Sequence, residues 1–326
     1  MTTEIKCNIF ALSWLEFVDW PAPFNGIEDI FLLDNVKTKF IHMLAAFGAV
    51  LLLVAANTKA ENKLHVFVSL PPQKYFVQQI GQALVDVEVM VPAGADPHIY
   101  EPKPRQMVAL SKARLYFAIG IQPFENTWLK KIASSNPDML VVHTDRGVQK
   151  IPMTTRHHEE GQHAGELDPH IWLSPPLVMK QAQTILNALL EIDPASRAVY
   201  AANYQAFISE LAALDAELKN IFTGKQGLQF MVLHPAWGYF AHTYGLKQVP
   251  VEIEGKDPKP AQLKELIDYA KQTQIKIIFV QPQFSPRNAK LVAKEIGGHV
   301  VFADSLAANW SDNLREVAGK LKSALK

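Results

Sequence analysis

Between Pro194 and Phe222 the apolar residues fall at 199, 200, 204, 207, 208, 211, 214, 218 and 221. This is helical spacing, sustained far beyond the length of an ordinary globular helix. Asp193 and Pro194 provide an N-cap and a first-turn proline for it, and Gly224 and Gly227 close it. Helices of this length bridge things. What lies on either side of this one must therefore be read as two bodies.

The two sides share one grammar. Upstream, apolar and β-branched runs at 64–70, 85–91, 115–119 and 139–143 alternate with helical spacing at 73–84 and 106–112. An amphipathic helix at 176–191 leads into the long one. Downstream, runs at 230–233, 247–253, 275–280 and 299–302 alternate with helices at 260–273 and 286–296. Strands alternating with helices argue for parallel sheets. The expected fold is α/β: two lobes, each with a parallel-type sheet flanked by helices, joined by a long rigid bridging helix. The expected limits are 61–175 for the N-terminal lobe, 176–224 for the helical linker and 225–326 for the C-terminal lobe. Clefts between lobes are where ligands bind.

The first sixty residues have another texture. Phe40 to Ala56 is an apolar run, preceded by Lys37 and Lys39 and ending in small residues before Asn57 to Ala60. A basic start, an apolar middle and a small-residue end describe a secretory signal peptide over 37–60. A retained membrane anchor is the competing reading, since the run is near the shortest that spans a bilayer. Residues 1–36 form an acidic, aromatic leader, and a true start at Val36 is expected. No cysteine follows the run to carry a lipid, so a free periplasmic protein is expected. Cys7 is the only cysteine of the chain, which leaves 61–326 without a thiol and at ease in an oxidising compartment. Disulfide scaffolds and multi-cysteine metal sites are thereby excluded. Lys+Arg and Asp+Glu both number 32, and no basic run occurs, so nothing invites nucleic acid.

A short pattern recurs upstream of the long helix. Asp96-Pro97-His98-Ile99-Tyr100 is echoed by Asp168-Pro169-His170-Ile171-Trp172. In each, proline fixes the backbone just before the histidine, and the aspartate stands close enough to orient the imidazole. A pinned, oriented imidazole is what a metal site needs. His234 follows a buried run, Met231-Val232-Leu233, and Asp304 follows Val300-Val301-Phe302. In open α/β sheets the ligand crevice lies beyond the carboxyl ends of the strands. His98, His170, His234 and Asp304 thus make a four-ligand site, two from each lobe. Three nitrogens and one carboxylate suit Zn²⁺ first and Mn²⁺ second. The bland alternatives are satisfied strand-end histidines and, for Asp304, a helix N-cap. The loop 156–166 carries His157, His158 and His163 among charged and small residues; it is either a solvated loop or a weak auxiliary metal loop.

At these residues the chain resembles the substrate-binding proteins of zinc and manganese ABC importers, the ZnuA/TroA type. The resemblance rests on Gly94-Ala95-Asp96-Pro97-His98 with Tyr100-Glu101-Pro102, on Asp168 to Leu173, on His234-Pro235-Ala236-Trp237-Gly238-Tyr239-Phe240, and on Asp304-Ser305-Leu306. It covers nearly all of 61–326. It implies two α/β lobes with the metal buried between them, His98, His170 and His234 as ligands, and either Asp304 or a water as the fourth. A histidine at 234, where many manganese members have a carboxylate, implies the zinc branch, as does the His-bearing insert before the second motif. It further implies a membrane permease with a cytoplasmic ATPase as partners, and a monomer that binds rather than catalyses.

The readings that compete are a manganese or iron carrier of the same family, an exported zinc hydrolase with Glu101 or Asp304 as base, and a tethered adhesion or scaffold protein. The hydrolase is disfavoured by the lack of a His-Glu-x-x-His helix or a nucleophile constellation.

Overall fold

The computed structural model describes residues 63–120, 123–154, 167–252 and 258–325. The leader, the apolar run at 37–60 and the loop histidines His157, His158 and His163 lie outside the described residues. Contacts divide the chain into Met1–Glu61 and Asn62–Lys326, and everything below concerns the second unit.

Two four-stranded sheets organise this unit. The first contains β1 (Leu64–Val68), β2 (Val85–Val89), β3 (Leu115–Ala118) and β4 (Leu140–His143), in the order β2-β1-β3-β4. The second contains β5 (Gln229–Val232), β6 (Lys247–Pro250), β7 (Ile277–Val280) and β8 (His299–Phe302), in the order β6-β5-β7-β8. Every pairing is parallel. The two lobes therefore repeat one topology. In each, the chain steps outward from its first strand, then crosses to the other side, and such a switch point opens a crevice at the carboxyl ends of the strands. Both central pairs are built from near-continuous apolar residues, as strands covered on both faces must be.

The sheets are flanked by α1 (Pro71–Gly81), α2 (Pro104–Leu110) and α3 (Pro123–Ser135) in the first lobe. In the second lobe lie α6 (Gly238–Tyr244), α7 (Pro260–Gln272), α8 (Arg287–Glu295) and α9 (Trp310–Ala324). Three of these helices start alike. Proline occupies the first turn, and a glutamine at the third position turns back to accept from the preceding backbone N–H: Gln73 from Leu70, Gln106 from Lys103, Gln262 from Lys259. Each device satisfies a donor that the helix itself leaves unpaired.

Between the lobes run α4 (Pro175–Ile192) and α5 (Arg197–Ile221). The long helix is present, with a difference at its start. A single 3₁₀ turn, Pro194–Ser196, precedes it, and Asp193 does not cap it. The Asp193 carboxylate instead accepts from the Tyr200 hydroxyl at 2.9 Å. Helix α5 packs against α4, α1 and α9, burying Tyr200, Phe207, Leu211, Leu214 and Leu218. One apolar core runs from the first sheet through α4 and α5 into Trp237, Phe240, Trp310 and Leu314 of the second lobe. A second, smaller core lies within the C-terminal lobe around Met231, Leu266, Ile278 and Val292. Among the described residues no helix is long and apolar enough to cross a membrane.

The switch point of the first sheet is filled from within. Glu125 of α3 accepts from the N–H groups of Ile119 and Gly120, both at 2.7 Å, and from the Ser69 hydroxyl, which also meets the Tyr116 hydroxyl at 2.8 Å. Burial pushes the Glu125 carboxyl up, against the pull of these donors. The equivalent crevice of the second sheet carries histidine and glutamine instead.

Candidate metal centre

Three histidine-bearing turns converge on one spot. Asp96-Pro97-His98 lies in the segment after β2. Asp96 Oδ1 accepts from the His98 backbone N–H at 2.9 Å and faces its ring Nδ1 at 2.8 Å. Asp168-Pro169-His170 repeats this geometry, with both distances at 2.8 Å. The recurring pentapeptide is thus a small machine. Proline limits the backbone, the aspartate closes a turn on the next N–H but one, and the same oxygen fixes the ring.

A carboxylate only accepts, so the Nδ1 of each ring carries a proton and Nε2 is the nitrogen left to face an ion. Burial pushes the Asp96 carboxyl up, but the two His98 hydrogen bonds and the nearby rings outweigh it and hold Asp96 below the usual carboxylate range.

His234 reaches the same state by another route. It follows β5, and its Nδ1 faces Glu252 Oε2 at 2.9 Å. The parallel ladder runs on past β6, with Val251 donating to Val232 and Glu252 to Leu233, which brings Glu252 level with the histidine. His234 Nε2 is buried and has no hydrogen-bond partner. Burial pushes the His234 pKa down, Glu252 pulls it back, and the neighbouring rings of His170 and His98 push it down again, so the ring is held neutral. A neutral imidazole with an idle, buried nitrogen is a metal ligand in waiting.

The rings meet around His234. Its centroid lies 5.0 Å from that of His98 and 5.4 Å from that of His170. An ion about 2.0–2.1 Å from each nitrogen in tetrahedral array would set neighbouring ring centres roughly 5 Å apart. Among the described residues, no three His, Cys, Asp or Glu side chains are already drawn into a closed ligand cluster. The histidines are paired through His234.

Beside them is a cavity of about 10 Å³, lined by Pro97, His170, His234, Gln283, Phe284 and Leu306 among others. That is room for a single water-sized sphere. Phe284 lies 4.9 Å from the His234 ring and 6.2 Å from His98, centre to centre. His170 and His234 are buried at 4% and 5% exposure, whereas the His98 side chain is 33% exposed and marks the open side.

Asp304 follows β8, as the sequence suggests, but it is not among the cavity-lining residues; its neighbours Ser305 and Leu306 are. Its Oδ1 accepts from Leu306 N–H and from Gln283 Nε2, both at 2.9 Å. The N-cap alternative for Asp304 fails, since the next helix begins at Trp310 with Asn309 before it.

Several neighbours were not found from sequence. Glu252, Gln283 and Phe284 lie in turns whose partners are set by strand pairing. Gly238 is another. A Cβ there would stand 2.2 Å from Asp168 Oδ2. Only glycine lets the start of α6 press against the aspartate that pins His170. Gly238→Ala is expected to displace Asp168 and weaken metal binding by about 10- to 100-fold, the usual effect of disturbing a ligand's supporting partner. Chelator-competition titration checks this, and unchanged affinity would show that the aspartate moves freely.

Two indoles tie this region together. Trp172, one residue beyond Ile171, donates through Nε1 to the Ser305 carbonyl at 2.7 Å. Trp310 Nε1 donates to the Trp172 carbonyl, also at 2.7 Å. The His170 turn and the Asp304 turn are thereby joined by backbone carbonyls and buried rings.

The pattern of the family described as "Zinc-uptake complex component A periplasmic" matches residues 66–324. The chain belongs to this family. It is 30% identical over 283 residues to the "High-affinity zinc uptake system protein ZnuA" of Bacillus subtilis (strain 168), covering 81% of this chain and 88% of that one. It is 29% identical over 276 residues to the "Manganese ABC transporter substrate-binding lipoprotein scaA" of Streptococcus gordonii, covering 79% of this chain and 86% of that one. A solved structure described as "Crystal structure of ZnuA" superposes with a TM-score of 0.77 at 43% identity, covering 81% of this chain and all of that one. The ZnuA family is a metal-binding component of ABC importers, which points to a binding protein, and its two-lobed α/β fold is the one described above.

Proposed function

We propose that the protein captures Zn²⁺ between its lobes in the periplasm and delivers it to the permease of an ABC importer driven by a cytoplasmic ATPase. In this reading His98, His170 and His234 bind the ion through Nε2, and Asp304 or a water completes a tetrahedral set. The observation that carries it is the common state of the rings. Each imidazole has Nδ1 on a carboxylate, and His234 Nε2 is buried and unpartnered beside a cavity of one ion's size. Three imidazoles favour Zn²⁺ over the oxygen-seeking Mn²⁺. With Asp304 in the fourth position the set is closed by protein ligands and leaves no open position for hydrolysis, as a carrier requires.

Export depends on the segment 37–60 acting as a signal peptide, and His157, His158 and His163 act as an auxiliary metal loop. The lobe limits 61–175 and 225–326 with the linker 176–224 follow the two sheets and the bridging helices.

The test is a titration of stripped protein with Zn²⁺ and Mn²⁺ under a competing chelator. One tightly bound Zn²⁺ per chain is expected, with Mn²⁺ weaker. Tighter Mn²⁺ would place the protein with the manganese carriers, and no tight ion would overturn the carrier reading.

A further inference from the structure

One side chain beside the cavity holds the Asp304 carboxylate. Gln283 lies in the turn after β7, at the switch point of the second sheet, and lines the cavity. Its Nε2 donates to Asp304 Oδ1 at 2.9 Å. Leu306 N–H donates to the same oxygen at 2.9 Å. The amide orientation follows from chemistry, because a carboxylate accepts only and must face the NH₂ end. Gln283 Oε1, at the other end of the amide, is buried with no partner. Asp304 Oδ1 is therefore spoken for twice, and the carboxylate has a single oxygen left to give.

We propose that Gln283 sets the coordination number at this centre by holding Asp304 to one-oxygen binding, and so selects a four-coordinate ion over a six-coordinate one. The inference rests on the carrier reading above. Three imidazole nitrogens and one carboxylate oxygen fill a tetrahedron, the geometry zinc takes. Manganese prefers more oxygens and a larger shell, which a two-oxygen carboxylate would help to supply. By engaging Oδ1, Gln283 and the Leu306 N–H withhold that second oxygen. Leu306 is fixed by the turn itself, so Gln283 is the side chain on which the choice depends. Gln283 is accordingly a positioning residue.

The experiment uses Co²⁺ alone as a probe of geometry, and Zn²⁺ and Mn²⁺ titrations as a probe of selectivity. The variants are Gln283→Met, which keeps length and removes the donor, and Gln283→Asn, which keeps the amide but draws it back from Asp304. Wild-type protein should give the intense visible bands of four-coordinate Co²⁺. Both variants should give severalfold weaker bands, as a larger shell does. The ratio of the Mn²⁺ to the Zn²⁺ dissociation constant should fall by about 10-fold or more, in line with the effect of supporting residues at metal sites. Adding Asp304→Ala to Gln283→Met should abolish the gain in Mn²⁺ binding. Unchanged Co²⁺ bands and an unchanged ratio in both variants would overturn the inference, as would a gain in Mn²⁺ that survives Asp304→Ala. Wild-type protein that binds neither Zn²⁺ nor Co²⁺ would instead overturn the carrier reading.

Discussion

Replacing His234 with alanine should lower zinc affinity by about 100- to 1000-fold. Tight protein zinc sites are worth roughly 10–16 kcal/mol over four ligands, so each ligand accounts for about 3 kcal/mol. His234 stands at the upper end of that range for three reasons. It is the ring that pairs with both other histidines. It is buried beside Phe284, which keeps out the water that would otherwise substitute for the lost nitrogen. Its removal also strands Glu252, whose side chain is only 12% exposed and which keeps a charge without its partner.

His98→Ala should cost less, because its side chain is one-third exposed and solvent can fill the place. The comparison is read by competition titration and by the zinc-induced rise in melting temperature, which shrinks with affinity. Equal losses for His98→Ala and His234→Ala would show that burial does not rank the ligands.

The second large effect concerns stability. Trp310 is 1% exposed and packs edge-on to Phe76, with ring centres 5.0 Å apart. Trp310→Ala should destabilise the protein by about 3–5 kcal/mol, the usual cost of emptying an aromatic core position. Trp310→Phe isolates the hydrogen bond. It keeps a ring in place but leaves the Trp172 carbonyl without its donor, at a cost of about 1–3 kcal/mol. Denaturant unfolding of the metal-free protein measures both. A Trp310→Phe variant as stable as wild type would mean that packing alone joins the two turns.

The centre was partly legible in the sequence, and the parts that were share a cause. His98 and His170 are fixed by residues two positions away, so the Asp-Pro-His pattern carries its own geometry. His234, and the strand-end position of Asp304 though not its approach to the cavity, could be read because strand ends are legible from apolar runs. Glu252 supports His234 across 18 residues and Gln283 holds Asp304 across 21. Those contacts exist only once the strands have paired, and no local pattern announces them. The same holds for Gly238, which looks like an ordinary glycine until Asp168 is brought against it.

The fold was read more fully, since alternating strands and helices and the spacing from 199 to 221 are local signals. Helix α9 was missed although Trp310, Leu314, Val317, Ala318 and Leu321 repeat with a helical period. Helix α3 gives a weaker signal, because it turns the charged Glu125 inward rather than an apolar residue.

All four candidate ligands stand in turns or at the start of a single 3₁₀ turn, and none lies within a strand or an α-helix. The repeated sheets and the shared core would be left as they are by changes at those positions. Variation in cargo and retention of the scaffold are thus separable in descent. A change of cargo on this plan would fall on loop positions and leave the sheets and the core in place.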